Sequence, residues 1–339
     1  MKAFRIVKPK KTDFIDIPEP TMGTEDVLLD IHFAGLCGSD LSTYRGLMPM
    51  MEYPRIPGHE ISGIIMDKGA GVPDTVRVGD KVMISPYTNC GVCPACRIGR
   101  VNTCEFNQTY GVQRDGALTE KLALHFSKVY KSDELSLKEL ALAEPLSVGY
   151  HAANRGMVTE TDIVLIFGVG AIGMGALSAC VRKGATVIVS DIDDNKLQHA
   201  QKMGAHYAVN SKKERLSDFI AELTNNEGVN VAIEAAGIPA TFKQAVELVT
   251  FAGRVVYIGY TKTGVEFDTK LFVRKELNIL GSRNALHVFP AVIKMLEKRQ
   301  LPFESLITKI YPFEQAGKAL SDWDMNPGGV TKLLIDVKT

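Results

Sequence analysis

Two hydrophobic periods divide this chain. From residue 1 to about residue 35 apolar and polar positions alternate, as in Val27-Leu28-Leu29-Asp30-Ile31-His32-Phe33, with Pro18, Pro20 and Gly23 between the runs. A period of two broken by Pro and Gly predicts short antiparallel strands. Ile61 to Met66 extends the pattern, and Val78-Gly79-Asp80-Lys81-Val82 reads as a hairpin corner. Leu137 to Tyr150 has a helical period, interrupted at Ala143-Glu144-Pro145. From Asp162 to about Gly281 the pattern changes to strand-like runs alternating with helical periods. It predicts strands near 162–167, 186–190, 206–209, 230–234, 253–259 and 276–281, with helices such as Asn195–Met203 and Phe242–Val249 between them. That alternation predicts a doubly wound α/β domain with a parallel sheet and its ligand at the carboxyl ends of the strands. A helix over Val288–Arg299, a helix-like Phe313–Asp322 and a strand-like Lys332–Val337 then return to the first domain. The expected layout is a discontinuous β-rich domain, 1–150 and 285–339, around an α/β domain, 151–284.

Composition narrows the function classes. The length of 339 residues suits two domains, and 45% hydrophobic residues can fill their cores. With 39 basic and 39 acidic residues the formal charge is zero, which argues against nucleic acid or an anionic membrane as the main partner. Ile163 to Val181 is free of charge and long enough to suggest a membrane span, yet it holds four glycines and begins as a strand. The start, Met-Lys-Ala-Phe-Arg-Ile-Val-Lys, carries charge where a signal peptide needs its apolar core, so the cytoplasm is the expected compartment.

The first predicted α/β strand runs into Gly168-Val169-Gly170-Ala171-Ile172-Gly173 and then into a helix. Each glycine has its own mechanical reason: Gly168 for the tight turn, Gly170 for close approach of a pyrophosphate to backbone, Gly173 for close packing of helix on sheet. Phosphates sit well on a helix N-terminus. Asp191, at the end of the next apolar run, is an acid suited to the ribose hydroxyls of an adenosine. It would repel a 2′-phosphate, so the expected cofactor is NAD rather than NADP. Lys196 follows on the next helix, where it can cover the same ribose.

Cysteine spacing points to metal. Cys90, Cys93, Cys96 and Cys104 lie in one loop, too close together to staple a chain of this size. Four thiolates close a tetrahedral zinc and leave no position for substrate, so the expected site is structural. An iron–sulfur cluster takes four cysteines as well, and a redox Cys-x-x-Cys pair leaves Cys96 and Cys104 unexplained. Elsewhere stand Cys37-Gly38-Ser39-Asp40, His59-Glu60 and Glu144, the last an acid in an apolar segment or a residue at N-cap distance before Pro145. Such an acid is costly unless neutral, paired or bound to a cation. Cys37, His59 and one or both glutamates can hold a zinc with an open position, which would lower the pKa of a bound hydroxyl and favour hydride departure from its carbon. Ser39 is a candidate proton relay and Asp40 a candidate acceptor for the second ring nitrogen of His59.

The order Gly35-x-Cys37-Gly38-Ser39-Asp40, Gly58-His59-Glu60, Gly79-Asp80-x-Val82, four close cysteines, Glu144-Pro145 and the 168–173 fingerprint resembles the zinc-containing medium-chain dehydrogenase family over essentially the whole chain. Within it the chain is similar to the sorbitol, polyol and sugar-acid branch, because Glu144 stands where alcohol dehydrogenases carry a third zinc cysteine. Tyr53-Pro54-Arg55 and Gly281-Ser282-Arg283-Asn284-Ala285 resemble the sugar-acid and galactitol-type members. The resemblance implies a GroES-like catalytic domain beside a Rossmann domain. It implies two zinc ions: a catalytic one at Cys37, His59 and Glu60 or Glu144, and a structural one at Cys90, Cys93, Cys96 and Cys104. NAD would contact Gly168, Gly170, Ile172, Gly173, Asp191 and Lys196, with Arg283 close to substrate and the chain a homodimer or homotetramer. Ser42 departs from the histidine that ends the proton relay in many relatives, and Asp115-Gly116-Ala117-Leu118 departs from a more usual Gly-Gly-Phe pattern. Tyr44 and Arg45 are candidates for polyol contact, and Arg45 with Arg55 for a substrate phosphate.

The expected activity is NAD-dependent oxidation of a secondary hydroxyl in a polyol, sugar acid or sugar-alcohol phosphate. A primary-alcohol dehydrogenase competes, with Glu144 against it. A zinc-free quinone reductase would lack the ligands, and a non-catalytic nucleotide sensor would keep the glycines and lose the ligands.

Overall fold

A computed structural model describes residues 1–48, 51–261 and 263–339. In chain order β1 (Lys2–Lys8) and β2 (Lys11–Asp16) pair antiparallel, followed by β3 (Asp26–Leu36), α1 (Gly38–Tyr44), β4 (Glu60–Lys68), β5 (Lys81–Ile84) and α2 (Pro94–Arg97). Then come β6 (Lys121–His125), β7 (Val129–Lys131), α3 (Leu137–Ala141) and α4 (Ala143–Arg155). The alternating part is β8 (Ile163–Phe167), α5 (Ala171–Arg182), β9 (Thr186–Asp191), α6 (Asp194–Lys202), β10 (Tyr207–Asn210), α7 (Leu216–Leu223), β11 (Val229–Glu234), α8 (Pro239–Leu248), β12 (Val249–Tyr257), α9 (Lys270–Arg274) and β13 (Asn278–Gly281). The chain ends with α10 (Phe289–Glu297), β14 (Ile307–Pro312), α11 (Ala316–Met325) and β15 (Lys332–Asp336). Packing divides it into two compact units, Met1–Glu144 with Phe289–Thr339, and Pro145–Val288.

In the first unit the sheet order is β14-β15-β3-β4-β5-β7, with β6 paired to β3. Strand β3 alternates as its sequence predicts: Val27, Leu29 and Ile31 are fully buried while Leu28, Asp30 and His32 are partly exposed. They meet Ile61, Ile65, Val82, Leu118, Leu320, Trp323 and Ile335 in one core. The antiparallel registers matter most for function. Leu333 of β15 lies opposite Leu36, and Gly35 of β3 lies opposite Glu60 of β4. The exit of β3 and the starts of β4 and β15 therefore share one end of the sheet.

The second unit is a six-stranded parallel sheet in the order β10-β9-β8-β11-β12-β13. Counted within the unit this is 3-2-1-4-5-6, the doubly wound dinucleotide-binding order, with its switch point between β8 and β11. The wholly apolar Val164-Leu165-Ile166-Phe167 is buried on both faces, as parallel central strands require. All six predicted strands appear. The fifth starts earlier than its pattern suggests, because Val249 already pairs with Val229 before a break in register. The charge-free run from Ile163 to Val181 is β8, the glycine turn and α5; among the described residues no helix is long and apolar enough to cross a membrane.

The helical pattern of residues 137–150 resolves into α3 and α4, and Glu144 sits inside the first turn of α4 rather than before it as a cap. Helices α4 and α5 cross at glycine. A Cβ on Gly149 would lie 2.1 Å from the Ile172 carbonyl oxygen, and one on Gly175 would lie 2.5 Å from that of Leu146. Backbone cannot swing aside as a side-chain tip can. Gly149→Ala should therefore lower stability by about 1–3 kcal/mol, read as a fall in the urea midpoint; an unchanged midpoint would show that the crossing is looser than described.

Candidate active site

Cys37 caps α1 with an extended backbone, and its N–H donates to Asp40 Oδ2 at 2.8 Å in a capping box. That cap turns the chain sharply after β3 and holds Cys37 at the sheet end. His59 and Glu60 enter from the antiparallel partner, after Gly58 at φ 108°, where a Cβ would meet the Leu118 amide nitrogen at 2.6 Å. The sulfur of Cys37, a ring nitrogen of His59 and a carboxylate oxygen of Glu60 all lie within 4.8 Å of one another. Glu144, outside that tight set, accepts a hydrogen bond at Oε1 from the hydroxyl of Tyr87. Asp40, His59, Glu60 and Glu144 are all buried.

Glu60 has a partner that the sequence did not announce. Lys332 donates to both of its carboxylate oxygens at 2.6 Å and to the Leu36 carbonyl at 3.0 Å. Gly35 makes the space, since a Cβ there would stand 2.1 Å from Glu60 Oε2. Lys332 is 2% exposed, and it keeps its charge: burial lowers its pKa, but Glu60, Cys37 and Glu144 raise it further. As the first residue of a strand it reads as surface, so only the register could reveal it.

The site is strongly acidic. Burial pushes the Glu144 carboxyl up to about 7, with His59 working against that rise and Glu60 adding to it. Burial lowers the His59 imidazole, yet Asp40, Cys37 and Glu144 together carry it well above its usual value. Asp40 Oδ1 stands 4.0 Å from His59 Nδ1, too long for a hydrogen bond, and among the described residues that nitrogen has no hydrogen-bond partner. The buried Oγ of Ser39 likewise has none among the described residues. A thiol, an imidazole and carboxylates converging in a buried, acidic corner fit a borderline divalent cation such as zinc.

The cysteine loop is self-contained. Cys93 and Cys104 sulfurs are 3.9 Å apart, and all four sulfurs lie within 4.8 Å of one another as free thiols. A tetrahedron with zinc–sulfur bonds of about 2.3 Å has an edge of about 3.8 Å. Amide N–H groups of Val92 and Cys93 point at the Cys90 sulfur, at 3.4 and 3.2 Å, and favour its thiolate. Fit and chemistry agree here as well.

In the second unit the glycine turn follows β8, with Gly168 at φ 82°. A Cβ on Gly173 would stand 1.9 Å from the Gly168 carbonyl, whereas one on Gly170 would meet nothing within 4 Å. Gly170 thus borders open space at the start of α5. Asp191 ends β9 and accepts from the amides of Val169, Ile192 and Asp193 at 2.9, 2.7 and 3.1 Å. Ile172 lies in the first turn of α5 and Lys196 in the first turn of α6. Arg283 is exposed just beyond the carboxyl end of β13.

Some expected contacts are otherwise engaged. Tyr44, expected as a polyol contact, packs in the core of the first unit with the Lys10 ammonium 5.2 Å from its ring centre. Arg45 pairs with Asp324 at 2.6 Å and Arg55 with Asp115 at 3.3 Å, so each arginine already faces an acid and the two are not a free phosphate clamp. Asp115, where the sequence departs from its relatives, also accepts from the Ile56 amide at 3.1 Å.

Comparison with known proteins agrees with this geometry. The pattern of the Alcohol dehydrogenase GroES-like domain matches residues 23–134, and that of Zinc-binding dehydrogenase matches residues 171–298. An uncharacterized zinc-type alcohol dehydrogenase-like protein of Haemophilus influenzae is 37% identical over 98% of both chains. Sorbitol dehydrogenase of Bacillus subtilis is 33% identical, covering 94% of this chain and 92% of that one. A crystal structure described as a short chain alcohol dehydrogenase from E. coli CFT073, complexed with NADH, superimposes with a TM-score of 0.92 at 32% identity over 99% of both chains. The chain belongs to the zinc-binding alcohol dehydrogenase family, with a GroES-like part and a Rossmann-type parallel sheet. It is a zinc-dependent oxidoreductase of the alcohol dehydrogenase type.

Removing Lys332 should expose the cost of its partner. Breaking a buried ion pair from one side costs about 3–5 kcal/mol, so Lys332→Met should lose stability of that order in a urea titration. Lys332→Met with Glu60→Gln should recover part of it, because no buried charge is then left alone. A single variant as stable as the parent would mean that Glu60 finds another cation at no cost.

Proposed function

We propose that this enzyme oxidises one secondary hydroxyl of a polyol, sugar acid or sugar-alcohol phosphate to the ketone, passing the hydride to NAD. The observation that carries the reading is a buried glutamate, Glu144, beside Cys37, His59 and Glu60 where simple alcohol dehydrogenases have a third cysteine. The sorbitol dehydrogenase relative supports the same substrate class.

Cys37, His59 and Glu60 or Glu144 would hold the catalytic zinc, and Cys90, Cys93, Cys96 and Cys104 the structural one. When bound, zinc supplies Lewis-acid polarisation, the effect that lowers the pKa of bound water to about 7. Ser39 Oγ, buried and without a hydrogen-bond partner among the described residues, would relay the proton that leaves the substrate hydroxyl, passing its own hydroxyl proton on to water as it takes that one up. Asp40 steadies the His59 ring by charge across 4.0 Å and fixes Cys37 through its backbone N–H. Arg283 orients substrate oxygens. In the second unit Gly168, Gly170, Ile172 and Gly173 admit the pyrophosphate to the start of α5, Asp191 accepts from the adenosine ribose, and Lys196 covers it. The carboxylate of Asp191 repels a 2′-phosphate, so NAD is preferred to NADP. We further propose a homodimer or homotetramer in the cytoplasm.

The test is absorbance at the NADH band with hexitols, pentitols, aldonic acids, polyol phosphates and simple alcohols, run with NAD and with NADP. Turnover of one secondary-hydroxyl class with NAD, abolished in Cys37→Ala, supports the proposal; preference for primary alcohols, or binding of NAD and zinc with no turnover by any class, counts against it. Asp191→Ser should raise the KM for NAD about tenfold, roughly one lost charge-assisted hydrogen bond, and bring NADP closer to it. Metal analysis should find two zinc ions per chain, one for each cluster, and Cys104→Ser should retain only the one at Cys37.

A further inference from the structure

We propose that Tyr87 is a positioning residue of the catalytic metal centre, its hydroxyl orienting the Glu144 carboxylate for the cation. This rests on the proposed zinc reading and adds a residue to it.

Tyr87 lies in the loop that leaves β5 and is 7% exposed. Its ring is stacked on Phe289, with centroids 6.4 Å apart and planes 26° from parallel, and Phe289 in turn packs on Tyr130 at 4.9 Å. Phe289 is the first residue of α10 and is itself 3% exposed. The phenol is thereby fixed at its ring, and its only polar atom is aimed at Glu144 Oε1. Packing alone would be served by phenylalanine. A buried hydroxyl is retained at a cost unless it has a partner, and here the partner is a carboxylate of the site.

The two glutamates are held by different chemistry. Lys332, a cation, takes both oxygens of Glu60 and offsets its charge. Tyr87 is a neutral donor: it takes one oxygen of Glu144 and brings no positive charge to it. The phenol therefore limits the rotation of the Glu144 carboxylate without forming an ion pair with it. Outer partners of this kind typically contribute about 10–100-fold to metal affinity or activity.

The experiment compares the parent chain, Tyr87→Phe, Glu144→Gln and the double variant for zinc dissociation by chelator competition and for the visible bands of cobalt substituted at the Cys37 centre. Tyr87→Phe keeps the stacked ring and removes one oxygen. It should weaken zinc at that centre about 10–100-fold and shift the cobalt bands, while the cysteine-loop zinc and the far-ultraviolet circular dichroism stay unchanged. In the Glu144→Gln background the same change should add little, because Tyr87 acts through Glu144. Unchanged affinity and bands in Tyr87→Phe, or an equal loss in the Glu144→Gln background, overturn the proposal and leave Tyr87 a packing residue. A parent chain that binds metal only in its cysteine loop overturns this inference and the zinc reading of the Cys37 centre together, whereas loss of polyol turnover with intact metal affinities strikes only the proposed reaction.

Discussion

The ion pair between Lys332 and Glu60 is the constraint from which the rest of the first unit's chemistry follows. Asp40, Glu60 and Glu144 are three buried carboxyl groups close to a thiol and an imidazole. Water cannot solvate them there, and burial of like charges is expensive. One buried ammonium, bonded to both oxygens of Glu60 and to the Leu36 carbonyl, offsets one of those charges. The site can then fold while remaining acidic enough to attract a cation. Strand register makes this possible, because β15, β3 and β4 are neighbours and their ends coincide at Lys332, Cys37 and His59.

The two metal-capable clusters solve the same problem at different ranges. Four cysteines within one loop need only local turns and a few amides directed at sulfur. Their geometry is a property of the loop. Cys37, His59, Glu60 and Glu144 come from three separate stretches and meet only when the sheet has its correct register and α4 has begun. A closed thiolate cage suits a structural ion, and an open set with a carboxylate suits catalysis.

Much of this was legible before any coordinates. The strand-like runs between helical periods matched all six parallel strands, most plainly β8, β9 and β11, which are buried on both faces and have little polar alternation to blur them. The glycine turn was equally plain, because Gly168 and Gly173 are places where the backbone has no alternative. Cysteine and histidine stand out by rarity and spacing. Lys332 and Tyr87 did not. A lysine opening a terminal strand looks exposed, and a tyrosine in a loop looks like packing; both acquire roles only through partners 272 and 57 residues away in sequence.

Asp191 shows how a specificity residue can also be a structural one. A carboxylate offers about four lone-pair positions, and three backbone amides already occupy Asp191. One of them belongs to Val169 in the glycine turn, so the carboxylate ties the end of β9 to the loop proposed to receive the pyrophosphate. A single ribose hydroxyl can join without breaking any of these bonds; a second must displace an amide or share its oxygen. On the proposed reading, selectivity for NAD then rests on an acid whose orientation is set before the nucleotide arrives, and its replacement disturbs the turn as well as the ribose contact.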